Sequence, residues 1–194
     1  MEHFLMCAPD AQAYYPGCPD RGFINNEFGT MDHYRKLSLI TFGVIATVIV
    51  FADQLTKYLV SSSIPLNGSE TIIPGFLNLV HVRNTGAAFG TFSHSGNVVI
   101  RIALSGISLI ALIIIGWLVF FQRLDRYSVI GFALFFGGAA GNFIDRLILG
   151  HVTDFIDVYV KDVHWPAFNV ADSALTIGAL IFCVRLLFQE QVKS

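Results

Sequence analysis

Apolar residues gather into four long stretches, 37–60, 97–121, 127–149 and 170–188, separated by polar connections of very unequal length. Crossing a hydrocarbon core about 30 Å thick takes roughly 20 helical residues. Each stretch is about that long, so the pattern predicts four transmembrane helices. The second is the clearest, closing on the unbroken run Ile110 to Phe121; the others carry polar residues toward one end only. Segment 61–96 is polar and β-prone, with turn signals at Pro65-Leu-Asn-Gly68 and Pro74-Gly75, and 72–83 reads as strand. Stretches two and three are joined by the tight hairpin Gln122-Arg-Leu-Asp-Arg126, whereas 150–169 has room for a short strand or half-helix. The two long connections therefore share one side of the membrane and the hairpin lies on the other. The expected fold is an all-α membrane protein of four transmembrane helices, with a small β-rich segment and a short loop or half-helix on the outer side.

Composition agrees with that class. Of 194 residues, 54% are hydrophobic and only 13% charged, and mean hydropathy is +0.63, which is membrane-like rather than soluble. The formal charge of -2 leaves no polybasic surface, so nucleic acid is not an expected partner. Cys7, Cys18 and Cys183 are too few and too scattered for a disulfide framework. Residues 1–30 are polar and rich in Pro, Gly, Asn and Asp, without the basic start and apolar core of a cleavable signal peptide. They are expected to be a polar extension, either disordered or upstream of a natural start at Met31, with 31–194 forming the membrane domain.

Orientation is a closer contest. Arg35, Lys36, Arg123, Arg126 and Lys193 fall on the hairpin side, against Lys57, Arg83, Arg101, Arg146 and Lys161 on or near the other. The opposite side also carries Asp53, Glu70, Asp145, Asp154, Asp157, Asp162 and Asp172. Both termini are accordingly expected on the cytoplasmic, hairpin side.

That topology brings polar groups from three helices to one depth: Asp53 and Lys57 from the first, Asn142, Asp145 and Arg146 from the third, Asp172 from the fourth. Asn142 and Arg146, four apart, share a helix face. Asp154 joins them from the 150–169 connection. Charges at a bilayer boundary persist where they pair or do chemistry, so this cluster is either a packing network of ion pairs and snorkelling side chains or a site. In Gly137-Gly-Ala-Ala-Gly141, small residues spaced four apart suit close helix packing, with Gly141 adjoining the polar cluster. No strand precedes this run, which separates it from a dinucleotide-binding loop.

Five segments resemble, in order, the motifs of the lipoprotein signal peptidases, or type II signal peptidases, aspartyl proteases of the bacterial inner membrane. They are Asp53-Gln-Leu-Thr-Lys57, Arg83-Asn-Thr-Gly-Ala-Ala-Phe89, Gly137-Gly-Ala-Ala-Gly-Asn-Phe-Ile-Asp-Arg146, Val152-Thr-Asp-Phe-Ile156 and Phe168-Asn-Val-Ala-Asp172. The resemblance implies a catalytic dyad of Asp154 and Asp172, with Lys57, Asn84, Gly138, Asn142, Arg146, Asn169 and Ala171 around the pocket. It further implies no metal or other cofactor, and a membrane-bound prolipoprotein substrate cut just before a diacylglyceryl-modified cysteine. The site would face the periplasm, among membrane lipids.

The chemistry is coherent. Peptide hydrolysis without a nucleophilic side chain needs a base for water and an acid for the carbonyl oxygen and the amine. Two neighbouring carboxylates cannot both ionise readily, so the pair supplies both. Asp157 and Asp162 share the connection with Asp154 and compete for its role, although solvated loop carboxylates are the commoner fate. His81, His94, His151 and His164 lack metal-ligand spacing, and Tyr159 and Trp165 suit interface anchors. Two rivals differ in class: a serine/lysine protease using Lys57 with Ser61, Ser62 or Ser63, and a small transporter or channel subunit built on intramembrane Asp and Arg.

Overall fold

The computed structural model describes residues 21–86 and 98–191. Ala87, Ala88 and Phe89 of the second motif, His94, Cys7, Cys18 and Lys193 lie outside the described residues, as does 1–20 of the extension. Contacts divide the chain into one unit up to Leu37 and a second from Ser38 onward, and the second holds everything that follows.

Among the described residues, four helices and four strands follow in the order α1 (Arg21–Ser63), β1 (Ser69–Ile73), β2 (Leu77–Asn84), α2 (Val98–Phe121), α3 (Arg126–Ile148), β3 (Val152–Val160), β4 (Val163–His164) and α4 (Val170–Gln191). Helix α1 begins at Arg21, well before position 37. Apolarity locates a membrane crossing, not a helix end, and between Pro19 and Pro65 no proline interrupts the backbone ladder. Three helices, Tyr34–Ser63, Val98–Phe121 and Arg126–Ile148, are long and apolar enough to cross a membrane.

Helix α3 is the centre of the bundle, because its glycines let neighbours approach to backbone distance. A Cβ on Gly137 would lie 3.0 Å from the Ala46 carbonyl oxygen in α1, and one on Gly138 would lie 2.5 Å from that of Ala171 in α4. Farther along, Gly178 of α4 meets the Gly131 carbonyl oxygen, and aromatic pairs Phe42–Phe136 and Phe132–Phe182 fill the remaining space. The hairpin end is closed by Asp125, which caps α3 by accepting from the Tyr127 and Ser128 amides and pairs with Arg185 of α4. The C-terminal half of α4 therefore sits at the α2–α3 hairpin, and its start lies at the other end.

At that other end the two long connections form one antiparallel sheet in the order β1-β2-β3-β4. The 150–169 connection thus supplies strands, not a half-helix. The 72–83 segment is not one strand but the flanks of a hairpin, broken where Phe76 N–H donates to the Ile73 carbonyl across Pro74-Gly75. Gly75 has a φ of +80° there, which a turn with Pro at its second and Gly at its third position requires. Pairing of β2 with β3 sets Asn78 opposite Asp157, Val82 opposite Asp154 and Asn84 opposite Val152. Phe155 of β3 packs on Val60 and Ile64 at the end of α1, with Leu79, Ile156 and Val170 around them. This apolar patch anchors the sheet to the helices and fixes where Asp154 sits.

Candidate active site

Asp154 and Asp172 arrive on different elements and are joined by one side chain. Asp172 lies in the first turn of α4, where Asn169-Val-Ala-Asp172 forms a reciprocal cap: the Asp172 amide donates to Asn169 Oδ1 (2.9 Å) and the Asn169 amide to Asp172 Oδ2 (3.2 Å). The Asn169 amide group then reaches across to β3, donating to Asp154 Oδ1 at 2.8 Å and to the Thr153 carbonyl at 3.3 Å. Its third acceptor is Asn142 Oδ1 at 3.2 Å. Asn169 is completely buried, and its orientation is fixed by these bonds.

Each carboxylate is held at both oxygens. Asn84 Nδ2 donates to Asp154 Oδ2 at 2.9 Å, and Asn142 Nδ2 donates to Asp172 Oδ1 at 2.8 Å. Asn84 is steadied by the Gly86 amide, which donates to its Oδ1. Burial pushes the Asp154 carboxyl up to about 6, and the negative charge of Asp172 adds to the rise, against hydrogen bonds from Asn84 and Asn169 and the charge of Lys57 that lower it. Asp154 therefore keeps its proton to a higher pH than an ordinary carboxyl.

Beneath this pair lies a buried charge network. Lys57 Nζ contacts Asp53 Oδ2 at 2.7 Å, Asp145 Oδ2 at 3.0 Å and Asn142 Oδ1 at 3.0 Å, which commits all three of its N–H donors. Gln54 Nε2 donates to Asp145 Oδ1 (2.9 Å) and, more weakly, to Asp53 Oδ2 and the Gly141 carbonyl. The other oxygen of Asp53 accepts from the Ala171 amide at the start of α4, and Asp145 Oδ2 accepts from the Thr153 amide next to Asp154. One lysine thus ties α1 and α3 to the elements bearing both aspartates. Arg146 donates to the Asn142 carbonyl at 3.3 Å and faces Asp172, Asp145 and Asp154 electrostatically.

Eight of the nine residues singled out in the sequence meet in this network. Gly138 is the exception: it meets α4 at the Ala171 carbonyl and Leu175, a packing contact. Gly141 belongs to the site, since a Cβ there would lie 2.5 Å from Asp53 Oδ2. Gln54 was missed, and Asp53 and Asp145, placed in the polar cluster, were not counted among the site residues. The signal was present, because Asp53, Lys57 and Asp145 are ionisable groups inside apolar helices and demand mutual partners.

Asp157 is not a solvated loop carboxylate. It is buried in β3, where Asn78 Nδ2 donates to it at 2.9 Å and His164 Nδ1 contacts both oxygens at 2.9 and 3.0 Å. Asp162 is exposed. His164 stacks on Tyr159, whose hydroxyl accepts from the Gly75 amide; Trp165 is exposed. Burial, and next the charge of Arg83, push His151 down. The Ser61 and Ser62 hydroxyls donate back to the carbonyls of Tyr58 and Leu59, and among the described residues the partners of Lys57 are Asp53, Asp145 and Asn142 rather than a serine.

Comparison with known proteins bears on all five motif segments. Residues 45–188 match the family described as Signal peptidase (SPase) II. The chain belongs to the signal peptidase II family. The lipoprotein signal peptidase of Desulforapulum autotrophicum is 44% identical over 157 residues, covering 79% of this chain and 95% of the relative. That of Staphylococcus aureus strain JH9 is 38% identical over 157 residues, 79% and 92% of the two chains. A bacterial membrane enzyme solved by the in meso method superposes with a TM-score of 0.70 at 36% identity, covering 79% of this chain and 92% of that one. A second such enzyme gives 0.66 at 37% identity, covering 76% and 92%. The chain is accordingly a protease and a multi-pass membrane protein.

Proposed function

We propose that this peptidase removes signal peptides from diacylglyceryl-modified prolipoproteins, cutting just before the lipidated cysteine with water activated by Asp154 and Asp172. The observation that carries the reading is the Asn169 bridge, which fastens the two carboxylates to one side chain, with that of Asp154 raised in proton affinity by burial. Asp172 takes a proton from water as its oxygen attacks the carbonyl carbon, and Asp154 gives its own proton to the carbonyl oxygen. The resulting gem-diol collapses as the C–N bond breaks, the amine taking the proton from Asp172 and Asp154 recovering one from the diol. Asn84, Asn142 and Asn169 hold the carboxylates in place. Lys57, with Asp53 and Asp145, positions them from below, and Arg146 is placed to receive a substrate carbonyl.

Helix α4, with 22 residues, is about 33 Å long and packs antiparallel to α3, which supports a fourth crossing. With the hairpin end cytoplasmic, both termini lie in the cytoplasm and the dyad faces the periplasm of the bacterial inner membrane. The polar cluster lies at one end of the bundle while Phe42, Phe132, Phe136 and Phe182 fill the other contacts, an arrangement suited to hydrolysis rather than to a transport path.

The test is cleavage of a lipidated and an unlipidated precursor by the parent and by Asp154→Asn, Asp172→Asn and the double variant. Each single variant should lose turnover while remaining inserted, and the double should be little worse, because groups acting as a unit are non-additive. Substantial cleavage by either single variant overturns the aspartyl mechanism. Equal cleavage of the unlipidated precursor overturns the lipid requirement.

A further inference from the structure

Near the carboxylate end of the bundle, α2 and α3 part to leave a cavity of about 580 Å³. Arg101 and Arg146 line it near that end, and its other lining residues, apart from Ser105, are apolar side chains and glycines, among them Ile102, Leu109 and Phe143. Arg101 to Leu109 is eight residues, about 12 Å of helix, so the lining changes from cationic to apolar along the direction in which a lipid lies. Two glycines shape it. A Cβ on Gly106 would meet nothing within 4 Å, and one on Gly150 would lie 2.8 Å from Arg101 Nη1. The first borders open space that a larger side chain would enter; the second lets the Arg101 guanidinium lie against the backbone just past α3.

The two arginines differ in their surroundings. Arg146 faces Asp172, Asp145 and Asp154, whereas none of the described residues lining the cavity is acidic. Basic pockets between membrane helices suit anionic lipid headgroups, and guanidinium pairs with phosphate through two parallel hydrogen bonds. We infer that the α2–α3 cavity binds an anionic membrane phospholipid, its phosphate on Arg101 and its chains along Ile102, Gly106 and Leu109. The cavity adjoins the proposed active site through Arg146, but the diacylglyceryl group of the proposed substrate carries no charge for Arg101 to meet, so a charge preference at Arg101 marks a lipid other than that group.

Binding of short-chain phosphatidylglycerol to the purified full chain in detergent is measured beside phosphatidylcholine of the same chains, diacylglycerol and inorganic phosphate. The parent should prefer phosphatidylglycerol over phosphatidylcholine by about tenfold, the scale of one charge-assisted contact. Arg101→Gln should erase that preference, Arg101→Lys should keep part of it, and Gly106→Phe should block both lipids. Circular dichroism without added lipid checks that each variant is folded, and Arg101→Gln, an exposed position, carries the test should Gly106→Phe misfold. Equal binding of the two phospholipids, or a preference that survives Arg101→Gln, overturns the proposal. Diacylglycerol binding as tightly as phosphatidylglycerol would assign the cavity to an uncharged lipid, and competition by inorganic phosphate alone to a free anion; either outcome also overturns it.

Discussion

The raised proton affinity of Asp154 makes a prediction about stability that needs no substrate. Burial, helped by Asp172, moves this carboxyl from 3.8 to about 6. A folded-state value above the unfolded one means that the native protein binds the proton more tightly. Between about pH 4 and pH 6 the unfolded chain releases this proton while the folded one keeps it, so stability falls as pH rises, and the loss is complete above the folded value. Roughly two powers of ten in proton affinity correspond to ~3 kcal/mol. Asp154→Asn removes the titration and keeps the shape. Its constant costs, such as an amide hydrogen turned toward Asn84 or Asn169, are the same at every pH and drop out of the comparison. The stability difference between Asp154→Asn and the parent should therefore shift in favour of the variant by about 3 kcal/mol between pH 4 and pH 7.5, about 6–12 °C in Tm for a chain of this size. Calorimetry or circular dichroism in detergent at several pH values reads it. Placed in an Asp172→Asn background the shift should shrink, since one of its causes has gone. A difference that stays flat with pH, or moves toward the parent as pH rises, refutes the assignment of Asp154 as the protonated member.

Other expectations follow from the same contacts. Lys57→Met leaves Asp53 and Asp145 buried and uncompensated and should destabilise by about 3–5 kcal/mol, with part recovered by adding Asp145→Asn, as denaturant titration would show. Asp157→Asn should cost about 1–3 kcal/mol through its contacts with Asn78 and His164 while turnover stays within a few-fold, and Asp162→Asn should change stability by less than about 0.5 kcal/mol. For topology, a membrane-impermeant thiol reagent applied to intact cells should label a cysteine placed at Val163 and spare one at Leu124; the reverse pattern would invert the proposed orientation.

Much of the helical frame could be read directly, since apolar length is a strong signal and the three spans end within a few residues of the apolar stretches. The sheet was harder. The 150–169 connection is ambiguous in sequence because Thr153, Asp154 and Asp157 interrupt the apolar residues of β3 without a strict alternation, and only pairing with β2 decides between strand and half-helix. The burial of Asp157 depends on Asn78, far away in sequence, which no local pattern links to it. Conversely Lys57, Asn142 and Asp172 could be placed together because ionisable groups at one depth in apolar helices must find one another. The Asn169 bridge lay between these cases: its capping role is local, while its reach to Asp154 belongs to the fold.

That bridge bears on when the enzyme becomes dangerous. Asn169 precedes α4, and its partner Asp154 belongs to a strand that is held only after β2 has paired with it and Phe155 has docked on α1. A chain still entering the bilayer, with α4 not yet seated or the sheet not yet closed, has both aspartates but no shared asparagine to aim them. On the proposed mechanism, a half-made molecule cannot cut its neighbours. On that mechanism, proteolytic competence awaits the seating of the last helix.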